Sequence, residues 1–298
     1  MSSAAPNETS PFCSSVSAGL AEPMAGTAPK EGGRFLVLSY AGLWAPDALP
    51  GSSLPEPVKA RLASAAAAVP RTRVQLVKHA GEATRPTLFV ARTEAGSERL
   101  VRFELDRHEA LVDLDLESVL EGRSDGGGAV VDEPLVLVCT HGKRDRCCAL
   151  HGTKLYETLH GLAGESVWQS SHLAGHRFAP IVVTLPDAYC FGRMTAEEGP
   201  RFLEALRQGR FHDLSRLRGR AGLDEPLQAA EVLFRQREGL DRIADVRVLG
   251  GEPTPEGMRA RLATPAGERI VLVRKRALEG RRPVSCGDEP SPAFAFEL

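Results

Sequence analysis

Pro134-Leu-Val-Leu-Val-Cys139-Thr-His-Gly-Lys-Arg-Asp-Arg-Cys-Cys148 is answered two dozen residues later by Ser171-His-Leu-Ala-Gly-His-Arg-Phe-Ala-Pro180. Pro134 to Val138 is a short, uninterrupted apolar run, the pattern of a strand buried on both faces, and it delivers Cys139 at its C-terminal end. Ligands of open α/β sheets collect at strand ends of this kind. After Cys148, Leu155, Leu159 and Leu162 recur at near-helical spacing, so a helix is expected to pack back on that strand. Ser166 to Ser170 reads as a second strand, and the loop holding His172 and His176 follows. Ile181–Leu185 and Ala188–Gly192, separated by Pro186-Asp187, then read as a hairpin. Thr195-Ala-Glu-Glu198 is a helix-start signature, with Phe202, Leu203 and Leu206 as the inner face. The order is β-α-β-loop-β-β-α.

Working outward, residues 1–32 are rich in Ser, Ala, Gly and Pro without apolar periodicity and read as a flexible lead-in. Cys13 stands alone there and reads as a buried or incidental thiol. Residues 33–130 read as an N-terminal α/β unit. Arg34–Tyr40 is a strand, Pro55–Val69 a helix, Arg73–Val77, Pro86–Val90 and Arg99–Leu105 are strands, and Asp115–Leu120 is a short helix. Asp125-Gly-Gly-Gly-Ala129 punctuates the chain and places a boundary near 130. Residues 131–212 form the unit described above, and 213–298 a C-terminal region: a helix over much of 215–240, a small antiparallel sheet, and a loop-like tail from Pro283 that carries Cys286.

The bulk composition narrows the function classes. The chain has 298 residues, 42% of them hydrophobic and 26% charged, so it can bury a substantial core. A formal net charge of -2 gives no electrostatic case for a nucleic-acid partner. No apolar run is long enough to cross a membrane, and Met1 to Thr9 lacks the basic and apolar segments of a secretory signal. A cytoplasmic location is therefore expected, where six cysteines serve metal or redox chemistry rather than disulfides.

Cys139, Cys148, His172 and His176 are the candidate ligands of one metal centre, with Cys147 as the alternative partner of Cys139. A Cys-x8-Cys spacing followed by a tight His-x3-His pair supplies enough backbone to wrap two sulfide-bridged irons. Gly142, Ala174 and Gly175 make the loops pliant enough for backbone N–H groups to approach the sulfides. With two thiolates and two neutral imidazoles, a diferric 2Fe-2S cluster carries no net charge and accepts an electron more readily than a four-thiolate one. Lys143, Arg144 and Arg177 act in the same direction. Each imidazole also offers a ring nitrogen whose proton affinity follows the redox state, so proton-coupled one-electron transfer is expected. Two other chemistries fit the residues. One is a zinc-stabilised Cys2His2 binding module, although the first spacing exceeds the usual one of zinc fingers. The other is a thiol oxidoreductase using the vicinal Cys147/Cys148 pair, which lacks the Cys-x-x-Cys spacing. His141, His151 and His160 read as structural, hydrogen-bonded residues.

Cys139-Thr-His-Gly-Lys-Arg-Asp-Arg-Cys-Cys148, Val167-Trp-Gln-Ser-Ser-His-Leu-Ala-Gly-His-Arg-Phe-Ala-Pro180 and Leu185-Pro-Asp-Ala-Tyr-Cys-Phe-Gly-Arg-Met194 closely resemble the sucrase/ferredoxin-like family. The resemblance extends to the lead-in around Cys13 and Glu22 to Thr27. It implies a thioredoxin-like 2Fe-2S ferredoxin domain whose ligands are a Cys pair and a His-x3-His pair, with Cys148 rather than Cys147 as the second cysteine. The expected architecture is thus α/β, a thioredoxin-like ferredoxin domain packed with the N-terminal α/β unit and a small C-terminal α+β region. The coarse strand order allows the N-terminal unit a thioredoxin-like build as well. An electron carrier serving a redox partner protein or reductase is expected, rather than a catalyst. No paired-carboxylate loop supports a sucrase activity, and no Gly-x-Gly-x-x-Gly fingerprint identifies a flavin or nicotinamide site.

Overall fold

The structure, a computed structural model, describes residues 12–79 and 85–298; the first eleven residues of the expected lead-in lie outside the described residues. The remainder of the lead-in is not extended throughout. Cys13–Gly19 is helix α1, with Cys13, Ser14 and Ser17 buried. Its side chains are too small to advertise a helical stripe, and that smallness lets it sit close against the turn at His176–Phe178.

The N-terminal apolar runs become strand β1 (Arg34–Ser39), helix α2 (Glu56–Ala68) and strands β2 (Thr72–Lys78), β3 (Thr87–Arg92) and β4 (Arg99–Glu104), followed by helix α3 (Leu116–Glu121). In α2, Pro57 is tolerated in the first turn, and Val58, Leu62 and Ala65 fall on one face and are buried. The Asp115 carboxylate caps α3 by accepting from the Ser118 N–H at 3.0 Å. Strand β1 runs parallel to β2 and antiparallel to β3, and β4 follows β3 antiparallel. The two-residue strand β5 (Ala129–Val130) closes that edge against β4.

The second half repeats this build. It comprises β6 (Leu135–Cys139), α4 (Arg146–Ala163), β7 (Val167–Ser170), β8 (Val182–Leu185), β9 (Tyr189–Phe191), α5 (Gly199–Arg207) and β10 (Leu217–Arg220). Strand β6 is parallel to β7 and antiparallel to β8, and β9 follows β8 antiparallel. The expected capping box at Thr195 and Glu198 is present immediately before α5. Strands β2 and β7, the equivalent edges of the two halves, pair antiparallel through Val77 with Ser170 and Lys78 with Gln169. One ten-stranded mixed sheet results, in the order β10-β9-β8-β6-β7-β2-β1-β3-β4-β5. Both halves thus have a thioredoxin-like order, with a parallel β-α-β pair extended by antiparallel strands on the far side.

Residues 215–240 do not form one helix. Leu217–Arg220 is strand β10, and helix α6 begins only at Glu225 and runs to Glu238. The Leu-Arg-Gly-Arg composition of β10 conceals a strand buried at every position, because its two arginines are satisfied internally. A four-stranded antiparallel sheet follows: β11 (Arg247–Thr254), β12 (Gly257–Thr264), β13 (Gly267–Arg282) and β14 (Ser291–Glu297). Strand β14 corrects the expectation of a loop-like tail. Within its Ala-Phe-Ala-Phe alternation, Phe294 to Phe296, with Glu297 beyond, pair with β13 from Ala277 to Arg274. Helix α6 is tied to the large sheet by buried charge. Arg235 donates to Glu231 at 2.9 Å and to the carbonyls of Arg242, Ile243 and Val246, while the Tyr189 hydroxyl of β9 donates to Glu231 at 2.6 Å.

Candidate metal centre

Two elements bring the predicted ligands together. Strand β6 ends at Cys139, and Asp145 caps α4 by accepting from the Cys147 N–H at 2.9 Å, which fixes where the helix starts. Helix α4 then lies directly on the strand end. A Cβ at Gly152 would fall 2.0 Å from the Cys139 carbonyl oxygen, so only glycine permits this approach. Consecutive residues of a helix diverge by about 100°, and Cys147 and Cys148 accordingly join different groups. Cys148 packs with Cys139, Trp168, Leu173 and Ile181, whereas Cys147 packs with Cys13 and Ala179 and reaches Cys286. The vicinal cysteines are adjacent in sequence without acting as a pair in space.

Cys139, Cys148 and His172 place donor atoms within 4.8 Å of one another. His176 joins from the side, its ring centroid 4.8 Å from that of His172. Among the described residues, Nδ1 of His172 and both ring nitrogens of His176 are buried without a hydrogen-bond partner. Unsatisfied buried nitrogens are costly unless something else occupies them, and convergent thiol and imidazole donors fit a metal or iron-sulfur group. His176 Nε2 also lies 3.9 Å from an oxygen of Asp145.

Charge favours thiolate at one of the two sulfurs. The Cys139 thiol is held well below its ordinary range by the hydrogen bond from Cys148, with His172 assisting against the effect of burial. The same bond, together with burial, pushes Cys148 up. Burial lowers the basicity of His176, keeping it neutral and able to ligate.

The histidine loop is held from both halves of the molecule. Arg73 of β2 donates to the His172 carbonyl at 2.7 Å, and the Leu76 N–H donates to the Ser171 hydroxyl. Arg218 of β10, fully buried, donates to the Ala174 carbonyl at 3.0 Å and to the carbonyl of Thr27. These contacts hold Ala174 and Gly175 in the left-handed region, with φ of 66° and 78°, and so bend the loop until the two imidazoles meet. His141 is structural: it accepts from the His172 N–H at 3.2 Å while its Nε2 faces the Ala45 carbonyl at 2.9 Å. The other expected contributors lie around the rim. Arg144 is exposed and paired with Asp47, Arg177 is paired with the buried Glu22 at 3.0 Å, and Lys143 is exposed.

Sequence reasoning missed the second group. Cys13, Asp145, Cys147 and Cys286 also place donor atoms within 4.8 Å of one another. The Cys147 thiol is pulled down to about 6, chiefly by the Cys13 thiol and then by the Ser14 hydroxyl. Cys286 is pushed up to about 11 by burial. No local spacing connects residues 13, 147 and 286. Only the packing of α1 and the tail on α4 does.

Fold and site together define a thioredoxin-like α/β protein with a thiol- and imidazole-lined, metal-competent centre. A family model described as sucrase/ferredoxin-like matches residues 40–219, and the chain belongs to that family. No curated protein matches it. Among solved structures, a variant of the thioredoxin-like 2Fe-2S ferredoxin from Aquifex aeolicus is similar at 15% identity and a TM-score of 0.22, over 26% of this chain and 89% of that one.

Proposed function

We propose that the protein is an electron carrier that holds one 2Fe-2S cluster on Cys139, Cys148, His172 and His176. The observation that carries the reading is the set of buried imidazole nitrogens, without hydrogen-bond partners among the described residues, beside two thiols, one of which is held toward thiolate. His176 stands outside the tight group of three donors, which favours a binuclear centre: a single zinc ion draws all four of its ligands to one point, whereas two irons spread them. Membership of the sucrase/ferredoxin-like family supports the same choice. Bound there, the cluster supplies one-electron transfer.

The residues around it have separate tasks. Cys139 and Cys148 bind as thiolates, the latter from the first turn of α4, where the helix N-terminus favours negative charge. Leu173 and Ile181, buried in the same cluster as Cys139 and Cys148, exclude water from the thiols. Arg73 and Arg218 orient the histidine loop through the carbonyls of His172 and Ala174. If His176 ligates through Nδ1, its Nε2 holds a proton facing Asp145 3.9 Å away, the carboxylate-histidine pairing that tunes metal ligands. His172 is half-buried and Lys143 and Arg144 are exposed beside the site, so a redox partner approaches from this side with acidic groups of its own. Anaerobic purification followed by reduction tests the proposal. A brown protein with iron and sulfide in equal amounts, and a paramagnetic signal on reduction, is expected. A chain without iron and sulfide overturns it.

A further inference from the structure

The second group of thiols lies on the other side of Asp145. The sulfurs of Cys13 and Cys147 are 3.6 Å apart, those of Cys147 and Cys286 3.3 Å, and those of Cys286 and Cys13 3.7 Å. Three sulfurs at nearly equal separations form one face of a tetrahedron. Thiolates at about 2.3 Å from zinc stand about 3.8 Å apart by tetrahedral geometry. A disulfide needs only two sulfurs, at about 2.05 Å, and leaves the third without a purpose. Cys13 and Cys147 are fully buried and Cys286 partly so.

The fourth corner is also supplied. Oδ2 of Asp145 lies 3.8 Å from the Cys13 sulfur and accepts from the Ser285 hydroxyl and the Cys286 N–H, each at 2.8 Å. Oδ1 lies 4.0 Å from that sulfur and, among the backbone and hydroxyl donors of the described residues, accepts only from the Cys147 N–H. A carboxylate offers about four lone-pair sites, so Oδ1 retains one for a metal while the other bonds hold the group in place. Ser14 donates to the Cys147 sulfur at 3.2 Å, the outer bond that steadies a metal-bound thiolate.

We propose that Cys13, Cys147, Cys286 and Asp145 form a structural zinc site distinct from the Cys139/His172 centre. All three sulfurs bind as thiolates, whatever protons they still carry passing to solvent as the ion binds, and no redox change occurs. The site fastens α1 and the segment between β13 and β14 to the N-terminus of α4, joining residues 13, 147 and 286 at one point. It does not depend on the proposed electron-transfer function.

The test uses the full chain carrying Cys139→Ser and His172→Ala, which removes donors from the first centre. Zinc alone is added, excess is removed, and bound metal is counted, with cobalt(II) as a spectroscopic substitute. One zinc per chain and the absorption of tetrahedral thiolate-bound cobalt are expected. Cys286→Ser, at the most exposed corner, should weaken zinc binding by more than the roughly 10–100-fold that loss of an outer hydrogen bond costs, with unchanged circular dichroism. Adding Cys147→Ser should abolish it. Absence of bound zinc, undiminished affinity in Cys286→Ser, or a disulfide between two of the three thiols in the zinc-treated chain would each overturn the proposal.

Discussion

Gly175→Ala is the sharpest probe of how the histidine loop is built. Gly175 sits at φ 78°, where an L side chain costs roughly 1–2 kcal/mol. Its new Cβ would lie 2.2 Å from Nη2 of Arg218 and 2.6 Å from that residue's Cζ. Arg218 cannot withdraw cheaply. It is fully buried, stacks over Phe178 at 5.3 Å, and donates to Thr27 and Ala174. Overpacking of this kind adds about 1–3 kcal/mol, for a total of about 2–5 kcal/mol. The unfolding entropy of a chain this long is about 0.6 kcal/mol per kelvin, so Tm should fall by about 3–8 °C. The displaced loop should also separate the imidazoles and, on the proposed reading, release the cluster. Gly161→Ala is the control: it lies within α4, nothing stands within 4 Å of its Cβ, and it should be neutral or stabilising by about 0.4–1 kcal/mol. Calorimetry and iron analysis on both variants provide the assay. A Gly175→Ala protein with the parent Tm and full iron content would refute the account of the loop.

Three further expectations follow from the same geometry. If an imidazole proton is exchanged on reduction, the cluster potential should fall with rising pH by up to about 59 mV per unit, and His172→Cys should lower it while retaining a cluster; protein-film voltammetry that gives a flat profile at neutral and alkaline pH would contradict this. Arg235→Ala leaves Glu231 buried without its paired cation, keeping only the neutral Tyr189 hydroxyl as donor, and strips donors from the carbonyls of Leu240, Arg242, Ile243 and Val246; it should cost about 3–5 kcal/mol in denaturant unfolding. Burial depresses the basicity of His79, His141, His151, His176 and His212. Unfolding therefore takes up protons below about pH 6.5, and the metal-free chain should be less stable at pH 5.5 than at 7.5, so an equal or higher urea midpoint at pH 5.5 would contradict the assignment.

The parts of the fold that could be read early are those where burial and composition agree. Apolar runs at Arg34, Pro86 and Pro134 become strands because both faces are covered, and Thr195 with Glu198 announces α5 through local hydrogen bonds alone. Strand β10 has no legible signature in the sequence, because Arg218 and Arg220 look like surface residues and are satisfied by Ala174, Thr27, Thr93 and Glu98 only in the folded chain. The candidate ligands come from two short segments and are visible as motifs. In the sequence, Cys148 is preferred over Cys147 only by the family resemblance; in the fold, helix neighbours diverge, so that Cys148 packs in the cluster of Cys139 and Cys147 in that of Cys13. The cluster of Cys13, Cys147 and Cys286 had no local signature, since contacts over separations of 134 and 139 residues exist only after folding.

Iron and sulfide analysis of the anaerobically purified chain, beside Cys148→Ser and His176→Ala, tests the central claim most directly. Iron and sulfide are predicted in equal amounts, one cluster per chain, with the visible spectrum lost or strongly altered in both variants and zinc bound at the proposed second site unaffected. Absence of iron and sulfide from the parent chain, or a spectrum indifferent to both substitutions, would contradict it.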